Sequence, residues 1–287
     1  MESELNWLQS IIRLPGQMTR SNLPLGVFDS GLGGLTVVRC LRAALPNEDV
    51  LYLGDTARVP YGAKSPSTVV RFACEDLDFL VRRKIKAAVV ACNTVSAWAL
   101  PDLRKLFDLP IFGVVGPGAR SAVEVTRTNR IGVIGTSATI RSEAYPREIR
   151  SLRPSAKVFC QPCPLLVPLV EEGLLHGSVT DQILARYLDP LLTRGIDTLV
   201  LGCTHYPLLK PAIRRVAGPN VQLVDSAECC AEDVRVNLDR LDLRAGSRRR
   251  TGMIRPFVTD EADRFEVSAR RFLKFPIQPA RRVELVQ

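Results

Sequence analysis

The chain has 287 residues, 46% hydrophobic and 24% charged, with 19 Gly and 20 Pro, a composition that suits about two globular domains and excludes disordered, collagenous and coiled-coil classes. No uninterrupted apolar run approaches the roughly 18 residues of a membrane span, and Met1–Asn22 carries Glu2 and Glu4 where a signal peptide would begin with basic residues, so a cytoplasmic protein with no membrane partner is expected. The net charge of +9 invites a nucleic-acid surface, yet +6 of it (13 basic against 7 acidic residues) falls in Arg235–Gln287, clustered at Arg244, Arg248, Arg249 and Arg250 without interleaved aromatic residues; a solvated surface is the simpler reading, and a nucleic-acid or DNA-handling partner the alternative.

From residue 24 onward, short apolar runs alternate with helical periodicity, the pattern of βα units around a mainly parallel sheet. The first predicted strand, Leu25–Asp29, opens through Asp29-Ser-Gly-Leu-Gly-Gly34 into a helix. A dinucleotide loop would need a glycine at 36, where Thr36 stands, and no Gly-Lys-Ser/Thr of a P-loop follows. What remains is a helix N-terminus and the Ser30 hydroxyl, suited to a carboxylate, beside an Asp29 suited either to an amine or to capping. The second strand, Val50–Gly54, leads into Asp55-Thr-Ala-Arg-Val-Pro-Tyr-Gly62, where Tyr61 offers an amphipathic wall. A helix over Pro66–Lys84 presents Val69, Ala73, Leu77, Leu80 and Val81 on one stripe, and strands follow at Ala87–Ala91, Ile111–Val114, Arg130–Gly135 and Lys157–Cys160. A helix over Ser178–Thr193 has apolar positions 179, 183, 184, 187, 188, 191 and 192, with Ser178 and Asp181 resembling a capping box. The last predicted strands are Thr198–Gly202 and Val221–Val224.

The eight cysteines separate by context. Cys40 and Cys74 lie on apolar helix faces and read as small core residues. Cys160-Gln-Pro-Cys163 is half of a zinc site without a second pair, so no metal is expected, and Cys229 and Cys230 are adjacent in a predicted helix with no evident chemistry. Cys92 and Cys203 each end a strand and start a helix, where the macrodipole favours thiolate; Asn93 and Thr94 follow the first, Thr204 and His205 the second. Gly26-Val-Phe-Asp-Ser30 recurs as Gly132-Val-Ile-Gly-Thr136, 106 residues on, and Val89-Val-Ala-Cys92-Asn-Thr as Val200-Leu-Gly-Cys203-Thr-His, 111 residues on. Two related halves would set Cys92 and Cys203 on opposite sides of one cleft. A cysteine hydrolase needs one thiol and a disulfide oxidoreductase usually a Cys-x-x-Cys, whereas two single opposed thiols suit removal of a proton from one face of a carbon and delivery to the other.

The segments Gly26-Val-Phe-Asp-Ser-Gly-Leu-Gly-Gly-Leu-Thr36, Asp55–Gly62, Ala91-Cys-Asn-Thr94, Ile134-Gly-Thr-Ser-Ala-Thr139, Pro168-Leu-Val-Glu171 and Leu201-Gly-Cys-Thr-His-Tyr-Pro-Leu-Leu209 occur in an order that resembles the glutamate racemases, within the aspartate/glutamate racemase superfamily, from about Pro24 to Phe275. The resemblance implies an N-terminal extension (1–23) and two pseudo-symmetric α/β domains, residues 24–116 plus 226–287 and residues 117–225, with the active-site cleft between them. It implies cofactor-independent interconversion of L- and D-glutamate for peptidoglycan synthesis, by a cytoplasmic homodimer. Carried onto matching positions, Cys92 and Cys203 are the proton donor/acceptors, Asp29, Glu171 and His205 assist proton transfer, and Asp29, Ser30, Tyr61, Gly62, Asn93, Thr94, Thr204 and His205 line the substrate. The extension carries no motif that would tie it to activation by a peptidoglycan precursor, as in some family members. A racemase for another acidic amino acid is the nearest rival.

Overall fold

The computed structural model describes residues 20–246 and 251–285; most of the extension, and Arg248, Arg249 and Arg250 of the basic cluster, lie outside the described residues. In chain order the strands are β1 (Leu25–Asp29), β2 (Val50–Gly54), β3 (Ala87–Val90), β4 (Ile111–Gly113), β5 (Arg130–Gly135), β6 (Lys157–Pro162), β7 (Thr198–Gly202), β8 (Gln222–Asp225), β9 (Ile254–Val258) and β10 (Arg281–Arg282). The helices are α1 (Leu35–Ala44), α2 (Pro66–Val81), α3 (Asn93–Trp98), α4 (Leu100–Leu106), α5 (Val115–Val125), α6 (Ser137–Arg141), α7 (Ala144–Leu152), α8 (Leu166–Glu171), α9 (Ser178–Leu192), α10 (Lys210–Ala217), α11 (Ser226–Arg240) and α12 (Ala262–Leu273).

The strands form a six-stranded sheet ordered β10-β9-β2-β1-β3-β4 and a four-stranded sheet ordered β6-β5-β7-β8. All the pairings among these strands are parallel. Parallel strands require crossovers, which cover both faces with helices; β1, β2, β3 and β7 are accordingly buried along their whole length and read as unbroken apolar runs. The orders 2-1-3-4 and 6-5-7-8 are the same topology, so the internal repeat of the sequence is a repeat of structure. α11 returns from the second sheet to pack on α1 of the first half and α5, and the chain then adds β9 and β10 to the first sheet.

The eight predicted strands are all present, with ends shifted by a residue or two. β9 and β10 escaped sequence reading because Ile254-Arg-Pro-Phe-Val258 interrupts its apolar pattern with Arg255 and Pro256, and β10 is two exposed arginines at a sheet edge. The helix expected to reach Lys84 stops at Val81, and Lys84 takes a left-handed φ of +58°. The capping box at Ser178 does not form. Gly177 occupies the N-cap position at φ +105°, Asp181 is bonded instead to Arg215, and Val179, expected on the buried stripe, is 57% exposed. Cys40 and Cys74 are half-buried rather than core.

Beneath the first sheet, Lys86 and Glu48 form an ion pair 2.5 Å long with side chains 0% and 3% exposed. Lys86 Nζ also donates to Ser21 O at 2.7 Å, and Glu48 Oε1 accepts from Ala245 N at 2.7 Å, so one pair ties the start of β3 to the segment before β1 and to the segment after α11. Lys86→Met leaves the Glu48 carboxylate buried against an apolar chain, and a loss of about 3–5 kcal/mol is expected. Thermal and urea unfolding check it: Lys86→Met should melt well below the parent, and Lys86→Met with Glu48→Leu should recover much of the difference.

Candidate active site

Open parallel sheets bind ligands beyond the carboxyl ends of the strands, where the strand order reverses direction. That point lies between β1 and β3 in the first sheet and between β5 and β7 in the second. Asp29 ends β1 and Cys92 follows β3; Thr136 follows β5 and Cys203 follows β7. The repeat therefore delivers one thiol from each sheet to equivalent positions.

Cys92 is the N-cap of α3 and is 6% exposed, with Sγ 3.5 Å from Ser30 Oγ. Burial and the neighbouring Asp29 carboxylate push its pKa up to about 12, against the smaller pull of the Ser30 hydrogen bond. The expectation that the helix terminus would favour thiolate fails here, because desolvation outweighs the dipole of a helix only six residues long. Asp29 is itself buried. Its Oδ2 accepts from Gly31 N at 3.0 Å, while Oδ1 has no partner among the described residues. Burial raises the carboxyl's pKa, and His205 and the N–H groups of Gly34 and Gly31 pull it part of the way back. Asp29 does not cap α1, whose N-cap is Gly34; an unpartnered carboxylate oxygen suits a cationic ligand atom.

Cys203 is 5% exposed, and its Sγ lies 3.9 Å from His205 Nδ1. The other ring nitrogen, Nε2, bonds Glu171 Oε1 at 3.0 Å, and Glu171 comes from the end of α8. Burial opposes a charged imidazole, but the bonds to Cys203 and Glu171 outweigh it and hold the pKa of His205 up at about 10. Cysteine, histidine and glutamate thus form a chain that can exchange a proton with the thiol. Thr204 is buried beside them, and its carbonyl accepts from Thr36 Oγ1 at 2.9 Å.

The two halves meet through hydroxyl groups. Thr94 Oγ1 lies 2.9 Å from Thr136 Oγ1 and 3.1 Å from Thr139 Oγ1, and those two lie 3.0 Å apart. Asn93 donates from Nδ2 to Ser226 Oγ at 3.3 Å and accepts at Oδ1 from Tyr145 OH at 2.7 Å, so its side chain is committed to the framework. Gly33 faces the second half so closely that a Cβ there would stand 2.1 Å from Thr204 Oγ1 and 2.5 Å from His205 Nδ1. Gly62 is likewise pressed on Thr136, a Cβ at 2.9 Å from its Cβ. Tyr61 is buried with its hydroxyl donating to Asp55 and, at 3.2 Å, to Asp76 Oδ2, so the ring stands as a wall whose polar end is already satisfied. Thr136, Thr139, Tyr145, Ser226 and Thr36 were not singled out in the sequence. Thr136 and Thr139 sit in a quoted motif, but only the fold shows that they meet Thr94.

Of the remaining candidates, Cys163 is buried with Sγ donating to Gln161 O at 3.4 Å, Cys160 is half-buried, and Cys229 and Cys230 lie in α11. Among the described residues no group of three or more His, Cys, Asp or Glu side chains is arranged to hold a metal ion, and no helix is long and apolar enough to cross a membrane. Arg244 is bonded to Asp239 at 3.1 Å. A cavity of about 810 Å³ between Arg104, Arg120, Arg147 and Arg240 has neither Cys92 nor Cys203 in its walls.

A sequence profile of the Asp/Glu/Hydantoin racemase family matches residues 34–234. A glutamate racemase of Syntrophus aciditrophicus is 49% identical over 262 residues, covering 91% of this chain and 97% of the relative, and one of Geobacter metallireducens is 55% identical over 204 residues, covering 71% and 76%. Among solved structures, glutamate racemase isoform RacE1 of Bacillus anthracis superposes with a TM-score of 0.89 at 39% identity, covering 92% of this chain and 98% of that one. The Francisella tularensis glutamate racemase in complex with D-glutamate does so with 0.86 at 36% identity, covering 92% and 98%.

The raised pKa of His205 has a definite sign. Its folded-state value of about 10 against an ordinary 6.5 means that the imidazolium's bonds stabilise the fold fully below pH 6.5 and lose that contribution as the pH climbs through about 10. His205→Gln should therefore lower the melting temperature most on the acid side of 6.5, and the gap to the parent should close toward pH 10. A gap that stays constant across that window would remove the charged form of His205 from the account.

Proposed function

The chain belongs to the Asp/Glu/Hydantoin racemase family and is an isomerase that interconverts L- and D-glutamate, and we propose that it does so by moving the α-proton between Cys92 and Cys203 on opposite faces of the α-carbon. The D-glutamate formed supplies peptidoglycan synthesis. The observation that carries the mechanism is the repeat itself: two thiols, each nearly buried, at the ends of equivalent strands β3 and β7 in facing sheets.

In this reading one thiolate removes the α-proton to leave a carbanion whose charge spreads onto the carboxylate, and the opposite thiol delivers its own proton to the other face. No electrons leave the substrate and no cofactor is called for. The α-hydrogen of an amino acid is a very weak acid, so the site needs a strong base and donors at the carboxylate oxygens. Burial makes Cys92 such a base once ionised, because a thiol pushed to about 12 gives a thiolate avid for a proton. Ser30, Thr94, Thr204 and the first-turn N–H groups of α3 are the donors we assign to the carboxylates, and the unpartnered Asp29 Oδ1 the acceptor for the ammonium. Glu171 and His205 form the hydrogen-bonded chain along which Cys203 exchanges its proton. Tyr61 and Gly62 shape the wall, while Asn93 acts through its bonds to Tyr145 and Ser226 and its place in the first turn of α3. The family relationship also supports a cytoplasmic homodimer.

Proton inventory in D2O tests the mechanism. The first product formed should carry α-deuterium while unreacted substrate stays protiated, and Cys92→Ala and Cys203→Ala should each abolish racemisation. Near-parental racemisation by either variant would sink the two-thiol reading, as would retention of substrate deuterium in product made in H2O, since a single base would then carry the proton across. A second measurement addresses Asp29. Asp29→Asn keeps the shape and removes the charge, so turnover should fall by about tenfold or more with little change in melting temperature, since no apolar contact is lost. Unchanged kinetics would assign Asp29 to the loop alone.

A further inference from the structure

The relay behind Cys203 is held from outside its own half of the molecule. α12 lies after β9, packs on α1 and belongs by its strands to the first sheet, yet its last turn reaches the second half. Arg271 Nη1 donates to Val170 O at 3.1 Å and to Glu171 O at 2.6 Å, two carbonyls at the end of α8. The last carbonyls of a helix lack intrahelical donors; Val170 O is met by Gly173 N at 3.0 Å as well as by Arg271, and a guanidinium bridging Val170 O and Glu171 O fixes both the end of the helix and the residue that stands there. That residue is Glu171, whose carboxylate holds His205. The next residue, Phe272, is fully buried and meets the His205 ring edge to face, with centroids 5.6 Å apart and planes at 90°. Phe272 is in turn anchored by its carbonyl, which accepts from Arg39 Nη1 at 3.2 Å. Two adjacent side chains of one helix therefore grip the two members of the relay from different sides, Glu171 through its backbone and His205 through its ring.

The Cys92 side is braced differently: Phe265, in the first turn of α12, stacks on Tyr52 with centroids 6.0 Å apart, and the Tyr52 hydroxyl donates to Gly31 O at 2.7 Å in the loop that carries Ser30. We infer that Arg271 and Phe272 are positioning residues that hold Glu171 and His205 in register with Cys203, so that the last turn of α12 governs the proton-transfer step on the Cys203 face. The inference rests on the two-thiol reading and on the family expectation that Cys203 acts on L-glutamate and Cys92 on D-glutamate.

Primary isotope effects separate the two steps. Kinetics with α-deuterated L-glutamate and α-deuterated D-glutamate are compared for the parent, Arg271→Ala, Arg271→Lys and Phe272→Leu. Arg271 is exposed, so its replacement keeps the test usable if Phe272→Leu fails to fold. Arg271→Ala should lower kcat/KM by about ten- to a hundredfold, the scale set by loss of alignment in a proton-transfer geometry. Because the overall equilibrium ties the two directions together, the loss appears in both, but the isotope effect should rise with L-glutamate and fall with D-glutamate as the Cys203 step becomes limiting. Arg271→Lys, which retains a donor for the two carbonyls, should restore most of the rate and both isotope effects. Unchanged kinetics, or isotope effects that stay put or move the same way with both enantiomers, would overturn the inference. Racemisation by Cys203→Ala would instead overturn the underlying reading, whatever Arg271 does.

Discussion

The distance between the two thiols is set by a band of polar bonds that crosses from one sheet's loops to the other's. Thr36 to the Thr204 carbonyl, Thr94 to Thr136 and Thr139, Asn93 to Ser226 and Tyr145, and Trp98 Nε1 to Ala138 O at 3.0 Å all join the loops and helices that follow β1 and β3 to those that follow β5, β7 and β8. Most of these groups are buried, where an unmade hydrogen bond costs about 1–3 kcal/mol, so sliding the halves apart is resisted by several such penalties at once. Gly33 and Gly62 complete the constraint from the other direction, since neither position leaves room for a side chain against the facing loop. Separation is thus limited by bonds, and approach by contact.

Within that symmetric frame the chemistry is decorated asymmetrically. Cys92 faces a carboxylate that, with burial, raises its proton affinity and a hydroxyl that offsets part of that rise, whereas Cys203 faces a histidine backed by a glutamate. Under the proposed reaction that difference matches the substrate. Glutamate has three polar groups and one α-hydrogen, so bases on opposite faces cannot have equivalent surroundings once the ammonium is assigned to one wall. Asp29 supplies a buried carboxyl with one unpartnered oxygen, and the cationic tendency of His205 lowers that carboxyl in return. Water excluded from between them would strengthen each interaction.

The strands, their parallel sense and the thiol positions were legible because each rests on local signals: buried parallel strands are continuous apolar runs, and a cysteine at the close of such a run lands at a ligand-binding edge. The nearly matching offsets of the two repeated motifs, 106 and 111 residues, carried the further step that the halves are related, and the shared 2-1-3-4 order is that relation in structure. What stayed hidden depends on partners distant in sequence. Nothing local in Thr136 or Thr139 says that they meet Thr94, and the upward push on the Cys92 thiol, against the helix-dipole expectation, comes from burial, which depends on the packed whole. β9 was invisible for a related reason, since a strand next to a short edge partner tolerates Arg255 and Pro256 that a central strand would not.

The late return of the chain to the first sheet resolves an apparent inefficiency of the fold. Strands β1 to β4 already carry Asp29 and Cys92, and a four-stranded sheet suffices for the second half. Adding β9 and β10 after the second sheet is complete forces the polypeptide to cross back, and the crossing places α12 on α1 with its final turn against α8. α12, encoded beyond both repeats, touches the two halves without belonging to the symmetry, as α11 does through α1 and α5, and its last turn braces the Cys203 side. The same crossing brings the segment after α11 onto Glu48, whose ion pair with Lys86 also reaches Ser21 ahead of β1. The repeat supplies two thiols at equivalent strand ends, the residues beside each thiol make them inequivalent, and the segment outside the repeat braces the Cys203 side.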